Sequence, residues 1–94
     1  MTRVYAITKT GQTVEYPDRA PVVELDVRED LRQGREPFSR IMAAVGALRP
    51  EDVLHLRATF APVPLLSILA EQGFVHHLES PADDDWSVWF WRPP

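Results

Sequence analysis

Among the acidic and histidine side chains of this chain, which are types that commonly bind divalent metals, four are candidates for one site: Glu24, Asp26, His55 and His77. Two imidazoles and a carboxylate form an acceptable ligand set for zinc or non-haem iron. The four residues are far apart in sequence and lack a tight spacing such as His-x-x-x-His. They predict a metal or small-ligand site only if the fold brings them onto one face of a sheet.

The alternative interpretation is a half-polar sheet face with cross-strand ion pairs such as Asp26–Arg57. The adjacent residues His76 and His77 do not strengthen the metal hypothesis, because neighbouring strand residues point to opposite faces. We therefore predict no cofactor. A metal- or redox-linked binding protein is the alternative function.

The composition excludes several kinds of chemistry. The 94 residues contain no cysteine, which rules out a disulfide framework, a thiolate metal site and a persulfide relay. Basic residues are outnumbered, the net charge is −4, and no basic stripe is present, so we expect no nucleic-acid partner. No segment approaches the roughly 18 apolar residues of a membrane span, so we expect a soluble, cytoplasmic protein without a membrane partner.

Catalysis has little support in the sequence. No serine lies in a Gly-x-Ser-x-Gly elbow, and the four glycines form no phosphate-binding loop. General acid–base chemistry at Asp26 and Arg28 is the least supported class of function. We predict that the protein is not an enzyme.

Hydrophobic periodicity indicates the elements that position these residues. Alternating residues predict strands over 22–27, 53–59, 74–79 and 86–91, and apolar stripes predict helices over 36–48 and 64–73. A loop is expected through Gly34, and an acidic turn over 80–85. A β-hairpin is predicted over residues 3–16, followed by a linker. The predicted fold class is therefore α/β (α+β): a two-layer sandwich with a β-α-β-α-β-β mixed four-stranded sheet, two helices on one face, and an added N-terminal hairpin. The domain bounds are 1–21 for the hairpin and linker and 22–94 for the sandwich.

Two tryptophans are predicted on the sheet face opposite the helices, because Trp89 and Trp91 alternate with residues that face the core. Left exposed, they would form an apolar patch that monomers usually avoid. Either the hairpin covers them or a partner does. We expect a homodimer or a protein partner at this face, and the predicted interface residues are Trp89, Trp91, Tyr5 and Tyr16.

Several of these segments resemble an uncharacterised TusA-like (SirA-like) family of domains of unknown function. The resemblance rests on Leu25 to Arg28, Glu36-Pro37, the helix entry over 62–66 and Gly73-Phe74, and it covers about residues 22–92. It implies the same two-layer fold over the 22–94 domain. Such domains often occur beside hemerythrin-like domains, which implies a redox or metal-related setting.

The resemblance also shows what this chain lacks. In the sulfur-carrier relatives a Cys-Pro pair begins the first helix, where the helix N-terminus lowers the pKa of the thiol. The comparable stretch here reads Gly34-Arg35-Glu36-Pro37, so the proline is retained and the thiol is absent. Sulfur transfer through this site is chemically excluded, and the helix-start motif that remains is Arg28, Glu36 and Pro37.

A second departure precedes the other helix. Relatives commonly carry acidic or histidine residues before the Pro-x-Pro turn, whereas residues 57–61 here read RATFA. Together these features predict a small, non-enzymatic interaction or accessory module that self-associates through its tryptophan-bearing sheet face.

Overall fold

The fold is described from a computed structural model, which describes residues 3–8 and 10–94. Residues 1, 2 and 9 lie outside this description; residue 9 falls within the hairpin predicted over 3–16, and all three fall within the predicted 1–21 segment. The hairpin is formed by β1 (Tyr5–Ile7) and β2 (Thr13–Glu15), which pair antiparallel with Ala6 opposite Val14. The hairpin forms a two-stranded sheet of its own. Gly11 and Gln12 lie in its turn, and glycine is typical of hairpin turns.

The main sheet has four strands in the order β3-β4-β6-β5. Their bounds are Val22–Asp26 for β3, Val53–Ala58 for β4, Val75–Ala82 for β5 and Asp85–Trp91 for β6. Strand β3 pairs parallel with β4, and β6 runs antiparallel to both β4 and β5. The predicted mixed four-stranded α/β sandwich is confirmed. The predicted acidic turn is shorter than expected, because β5 continues to Ala82 through a register shift after Glu79.

Three helices connect the strands: α1 (Arg28–Arg32), α2 (Phe38–Ala47) and α3 (Val63–Glu71). Helices α2 and α3 match the two predicted helices within a few residues. The predicted loop before Gly34 is wrong, because α1 forms there. Its start is stabilised by the Asp26 carboxylate, which accepts the Arg28 backbone N–H at 3.0 Å, and by acidic residues in the first turn. No helix of the described residues is long and apolar enough to cross a membrane.

The main core lies between the helices and one face of the sheet. Its fully buried side chains include Leu54 and Leu56 of β4, Val88 and Phe90 of β6, and Leu69 of α3. These residues belong to the apolar set of the predicted strands and helices. Trp86, at the end of this face, is only half-buried, and its indole N–H donates to the Asp83 carbonyl oxygen at 3.2 Å.

A second, smaller cluster covers part of the opposite face. Ala6 of the hairpin packs with Val53, Val75 and Trp91, and Tyr16 and Trp89 lie at its margin. The hairpin therefore forms a third layer over one end of the sheet.

Candidate functional site

The helix-start motif lies at the carboxyl ends of the parallel strands β3 and β4. Arg28 is the first residue of α1, and its guanidinium contacts the Asp26 carboxylate at 2.8 Å. Glu36 accepts the Phe38 backbone N–H at 2.6 Å, and Pro37 occupies the residue before α2. Glu36 thus fixes the first turn of α2 by a side-chain cap, since the first N–H groups of a helix have no partner within it.

Between the starts of α2 and α3 the surface opens into an apolar groove of about 270 Å³. The parallel strands end beneath it, and the residues lining it are Val27, Leu31, Glu36, Pro37, Phe38, Ile41, Leu56, Ala58, Phe60, Pro62, Pro64, Leu65 and Ile68. Phe38 is 43% exposed, Phe60 is 54% exposed and Ile68 is 38% exposed. These three large apolar side chains therefore remain accessible around a concave surface.

The chemistry of the groove is almost entirely apolar. Glu36 is the one titratable side chain among its lining residues, and its carboxylate is already engaged at the start of α2. The groove can therefore hold apolar groups. Its lining presents no titratable side chain besides Glu36 that could transfer a proton.

An ion-pair network lies beside the groove at the same end of the sheet. Arg28 contacts Asp26 and lies 3.7 Å from Asp85, and Arg57 donates to Asp85 at 3.1 Å. The hydrogen bonds and charge of Arg28 lower the pKa of the Asp26 carboxyl to about 2. The predicted cross-strand pair Asp26–Arg57 is in register, but Asp26 binds Arg28 and Arg57 binds Asp85. The hypothesis of that particular ion pair is therefore corrected.

The predicted metal ligands share one sheet face but do not converge. His55 Nδ1 lies 3.3 Å from a Glu24 carboxylate oxygen, and the His55 ring stacks on Trp89 with centroids 4.4 Å apart and planes 4° apart. His77 lies on the other side, with its ring centroid 5.8 Å from that of Trp89. The indole therefore stands between the two imidazoles.

The remaining partners of these residues are also local. His77 Nε2 lies 3.4 Å from Glu79, and Asp26 is bound by Arg28. Within residues 3–8 and 10–94, no three acidic or histidine side chains are grouped so that they could hold a metal ion. The geometry does not assemble Glu24, Asp26, His55 and His77 into one site.

The predicted interface residues have different environments. Trp91 is 3% exposed and is covered by Tyr16, whose ring meets it edge-on with centroids 5.2 Å apart. Trp89 and Tyr16 are half-buried, and Tyr5 is 48% exposed. The expectation that Trp91 is available to a partner is corrected, because the chain's own hairpin covers it.

The groove is not apparent from the hydrophobic periodicity of the sequence. Phe38 lies within the predicted helix over 36–48, and Phe60 lies in the segment 57–61 that differs from the related family. One feature of the sequence predicts the groove. Each of the two longer helices begins next to a proline and has a large apolar residue near its beginning. Since two helices that follow neighbouring parallel strands start at the same edge of the sheet, this pair predicts a shared surface.

Comparisons with known proteins place the chain by family. No curated protein and no solved structure matches it. One family model, described as "Uncharacterized conserved protein (DUF2249)", matches residues 24–92, which include the main sheet except the first two residues of β3, the helices α1 to α3 and the groove. The chain belongs to this DUF2249 family of uncharacterised conserved proteins.

Proposed function

We propose that the protein is a small, non-enzymatic cytoplasmic interaction module that binds an apolar segment of a partner protein in the groove. The observation that carries this proposal is the exposure of Phe38, Phe60 and Ile68 around one concave surface. Exposed apolar patches on soluble domains commonly mark binding sites. Large apolar side chains at the centre of a concavity are also typical of interface hot spots.

The size and polarity of the groove favour a protein segment over a cofactor. Small-molecule sites usually have volumes of about 300–1,000 Å³ and a few precisely placed polar groups that fix the ligand's orientation. The groove has a volume of about 270 Å³, and its lining offers one charged side chain, Glu36. A space of this size accommodates about two apolar side chains of a partner, and their burial supplies the affinity.

We propose further that this groove corresponds to the thiol site of TusA-like sulfur carriers. The support is the position of Glu36-Pro37 at the start of α2, where those relatives carry Cys-Pro. Without the thiol, this edge of the fold cannot carry sulfur. The proposed role of this edge is then the binding of a partner segment instead of the transfer of sulfur.

The test is a selection of short peptides from a displayed random library with the intact protein as target. We expect the selected peptides to share two apolar residues at a fixed spacing, and the Phe60→Ser variant to weaken their binding at least tenfold. Ile7→Ser is the matched control, because Ile7 is 71% exposed but lies on the hairpin, away from the groove. Peptides that bind Phe60→Ser as well as the unchanged protein would exclude the groove as the binding site.

Self-association through the tryptophan-bearing side is the second candidate function. It is supported by two exposed side chains, Tyr5 and Ile7, on the hairpin that covers this side of the sheet, and by the half-buried Trp89. Light scattering over a concentration series tests it. Loss of association in a Tyr5→Ser variant would support this surface, and an unchanged association would exclude it.

A further inference from the structure

The outer edge of β3 is the open end of the main sheet. Strand β3 pairs with β4 on one side, and no other described strand pairs with it. Val22 is 46% exposed and Val23 is 39% exposed. A regular edge with exposed apolar side chains is a template for pairing with another strand.

The backbone hydrogen bonds show which groups of β3 point outward. The Val53 N–H donates to the Pro21 carbonyl at 2.9 Å, and the Val27 N–H donates to the Arg57 carbonyl at 3.0 Å. In a parallel pair, alternate residues turn both backbone groups toward the same neighbour. Residues 21, 23, 25 and 27 therefore face β4, and residues 22, 24 and 26 face outward.

Two of the three outward residues have both of their backbone groups free. The Asp26 carbonyl accepts a 3.4 Å hydrogen bond from Arg40. The N–H and C=O groups of Val22 and Glu24 have no hydrogen-bond partner among the described residues. Val22 and Glu24 consequently offer two donors and two acceptors, arranged two residues apart.

The other end of the sheet is protected against such pairing. Strand β5 contains Pro81 and a register shift between Glu79 and Ala82, and the hairpin strand β1 packs against it. Proline, bulges and covering elements are the devices by which edge strands avoid further pairing. By contrast, the span from Val22 to Asp26 contains no proline and keeps an unbroken register with β4.

We propose that β3 pairs antiparallel with β3 of a second copy of this chain across a two-fold axis at Val23. In this register Val22 of each copy lies opposite Glu24 of the other, and each such pair exchanges two backbone hydrogen bonds. The four free backbone groups of Val22 and Glu24 are then satisfied in each copy. The result is one continuous eight-stranded sheet through the dimer.

Repulsion between carboxylates disfavours the two registers whose two-fold axis lies further along β3. A two-fold axis at Glu24 would place two carboxylates directly opposite each other, and an axis at Leu25 would place Glu24 opposite Asp26. Like charges directly opposite in a sheet are destabilising. The axis at Val23 instead places two exposed valines in contact and leaves no acidic pair facing. The edge is short, so the dimer is weak and forms at high protein concentration.

The test combines solution mass with cysteine cross-linking, which is clean because the natural chain contains no cysteine. Light scattering into the millimolar range is expected to show a monomer–dimer equilibrium. Directly opposite residues that do not exchange hydrogen bonds lie about 4.5 Å apart at Cα, within the range that a disulfide spans. Val23→Cys is therefore expected to form a disulfide dimer at least tenfold faster than Glu24→Cys under mild oxidation.

Each outcome decides the proposal. A mass that stays monomeric over the whole series overturns it, as does faster cross-linking of Glu24→Cys, which would move the axis. Association that Tyr5→Ser abolishes and Val23→Lys leaves intact would assign the dimer to the hairpin side instead. Peptide binding by Val23→Lys tests the groove separately, because Val23 is not among the groove residues.

Discussion

Tyr16 meets Trp91 edge-on, with ring centroids 5.2 Å apart and an angle of 84° between the ring planes. Edge-to-face aromatic pairs contribute about 0.5–1.5 kcal/mol beyond the area that they bury. Tyr16 directly follows β2, so this contact joins the end of the hairpin to the last strand of the main sheet. It explains how a hairpin that would be marginal alone becomes a stable layer.

Tyr16→Ala is therefore expected to loosen the hairpin and expose Trp91. Loss of the aromatic contact and of the partly buried ring is expected to lower the free energy of unfolding by about 1–3 kcal/mol. The tryptophan emission of the folded variant is expected to shift to longer wavelength as water reaches the indole. Urea denaturation followed by fluorescence measures both effects.

Tyr5→Ala is the control, because Tyr5 belongs to the same hairpin but is 48% exposed. We expect it to change stability by less than about 0.5 kcal/mol, as is usual for surface positions. Equal losses in the two variants would mean that the Tyr16–Trp91 contact does not hold the hairpin in place.

The Asp26–Arg28 pair predicts an acid-sensitive contribution to stability. Arg28 lowers the pKa of the Asp26 carboxyl in the folded protein from 3.8 to about 2. Since the folded state binds this proton less readily than the unfolded state, the stabilisation is fully present above the unfolded pKa. It is lost as the pH falls from about 4 through about 2. Asp26 is half-exposed, so after solvent screening we expect about 1 kcal/mol.

A double-mutant cycle with Asp26→Asn and Arg28→Gln measures this contribution. The coupling free energy is expected to be about 1 kcal/mol at pH 7 and to fall to a small fraction of that value near pH 2, where the Asp26 carboxyl becomes protonated in the folded protein. Urea unfolding at both pH values provides the four free energies required. A coupling that is the same at both pH values would show that the interaction does not depend on the carboxylate charge.

The sequence could predict which residues share a face of the main sheet. Strand alternation alone placed Glu24, His55 and Trp89 together, and they are direct neighbours in the ladder, with His77 next to Trp89. Alternation has a period of two, and one face of each strand is buried against the core. The face on which each residue lies is therefore well determined. Alternation could not predict that the Trp89 ring would lie between the two histidines, because that depends on side-chain rotamers.

Hydrophobic periodicity along the sequence predicts neither helix α1 nor the groove. Helix α1 spans Arg28–Arg32, too short for an apolar stripe, and its start depends on the Asp26 side chain. The groove combines residues from α1, β4, α2 and α3 that are up to about forty positions apart in sequence. Its existence depends on how those elements pack, which local periodicity does not determine.

Two glycines are expected to respond to alanine in opposite directions. Gly46 lies inside α2, and an added methyl group there meets nothing within 4 Å. Alanine reduces the backbone freedom of the unfolded chain, so Gly46→Ala is expected to stabilise the protein by about 0.5–1 kcal/mol. Gly73 follows α3 at a φ of +90°, where an added methyl group also meets nothing within 4 Å but side chains are strained. Gly73→Ala is expected to destabilise it by about 1–2 kcal/mol.

Thermal or urea unfolding of the two variants separates backbone strain from steric contact. Both sites are open, so a steric effect cannot produce the difference. Because Gly73 connects α3 to β5, the destabilised variant is also expected to lose amide protection first around Phe74 and Val75. If both substitutions stabilised the protein, the backbone at Gly73 would not be in the left-handed region, and α3 would have to end in another way.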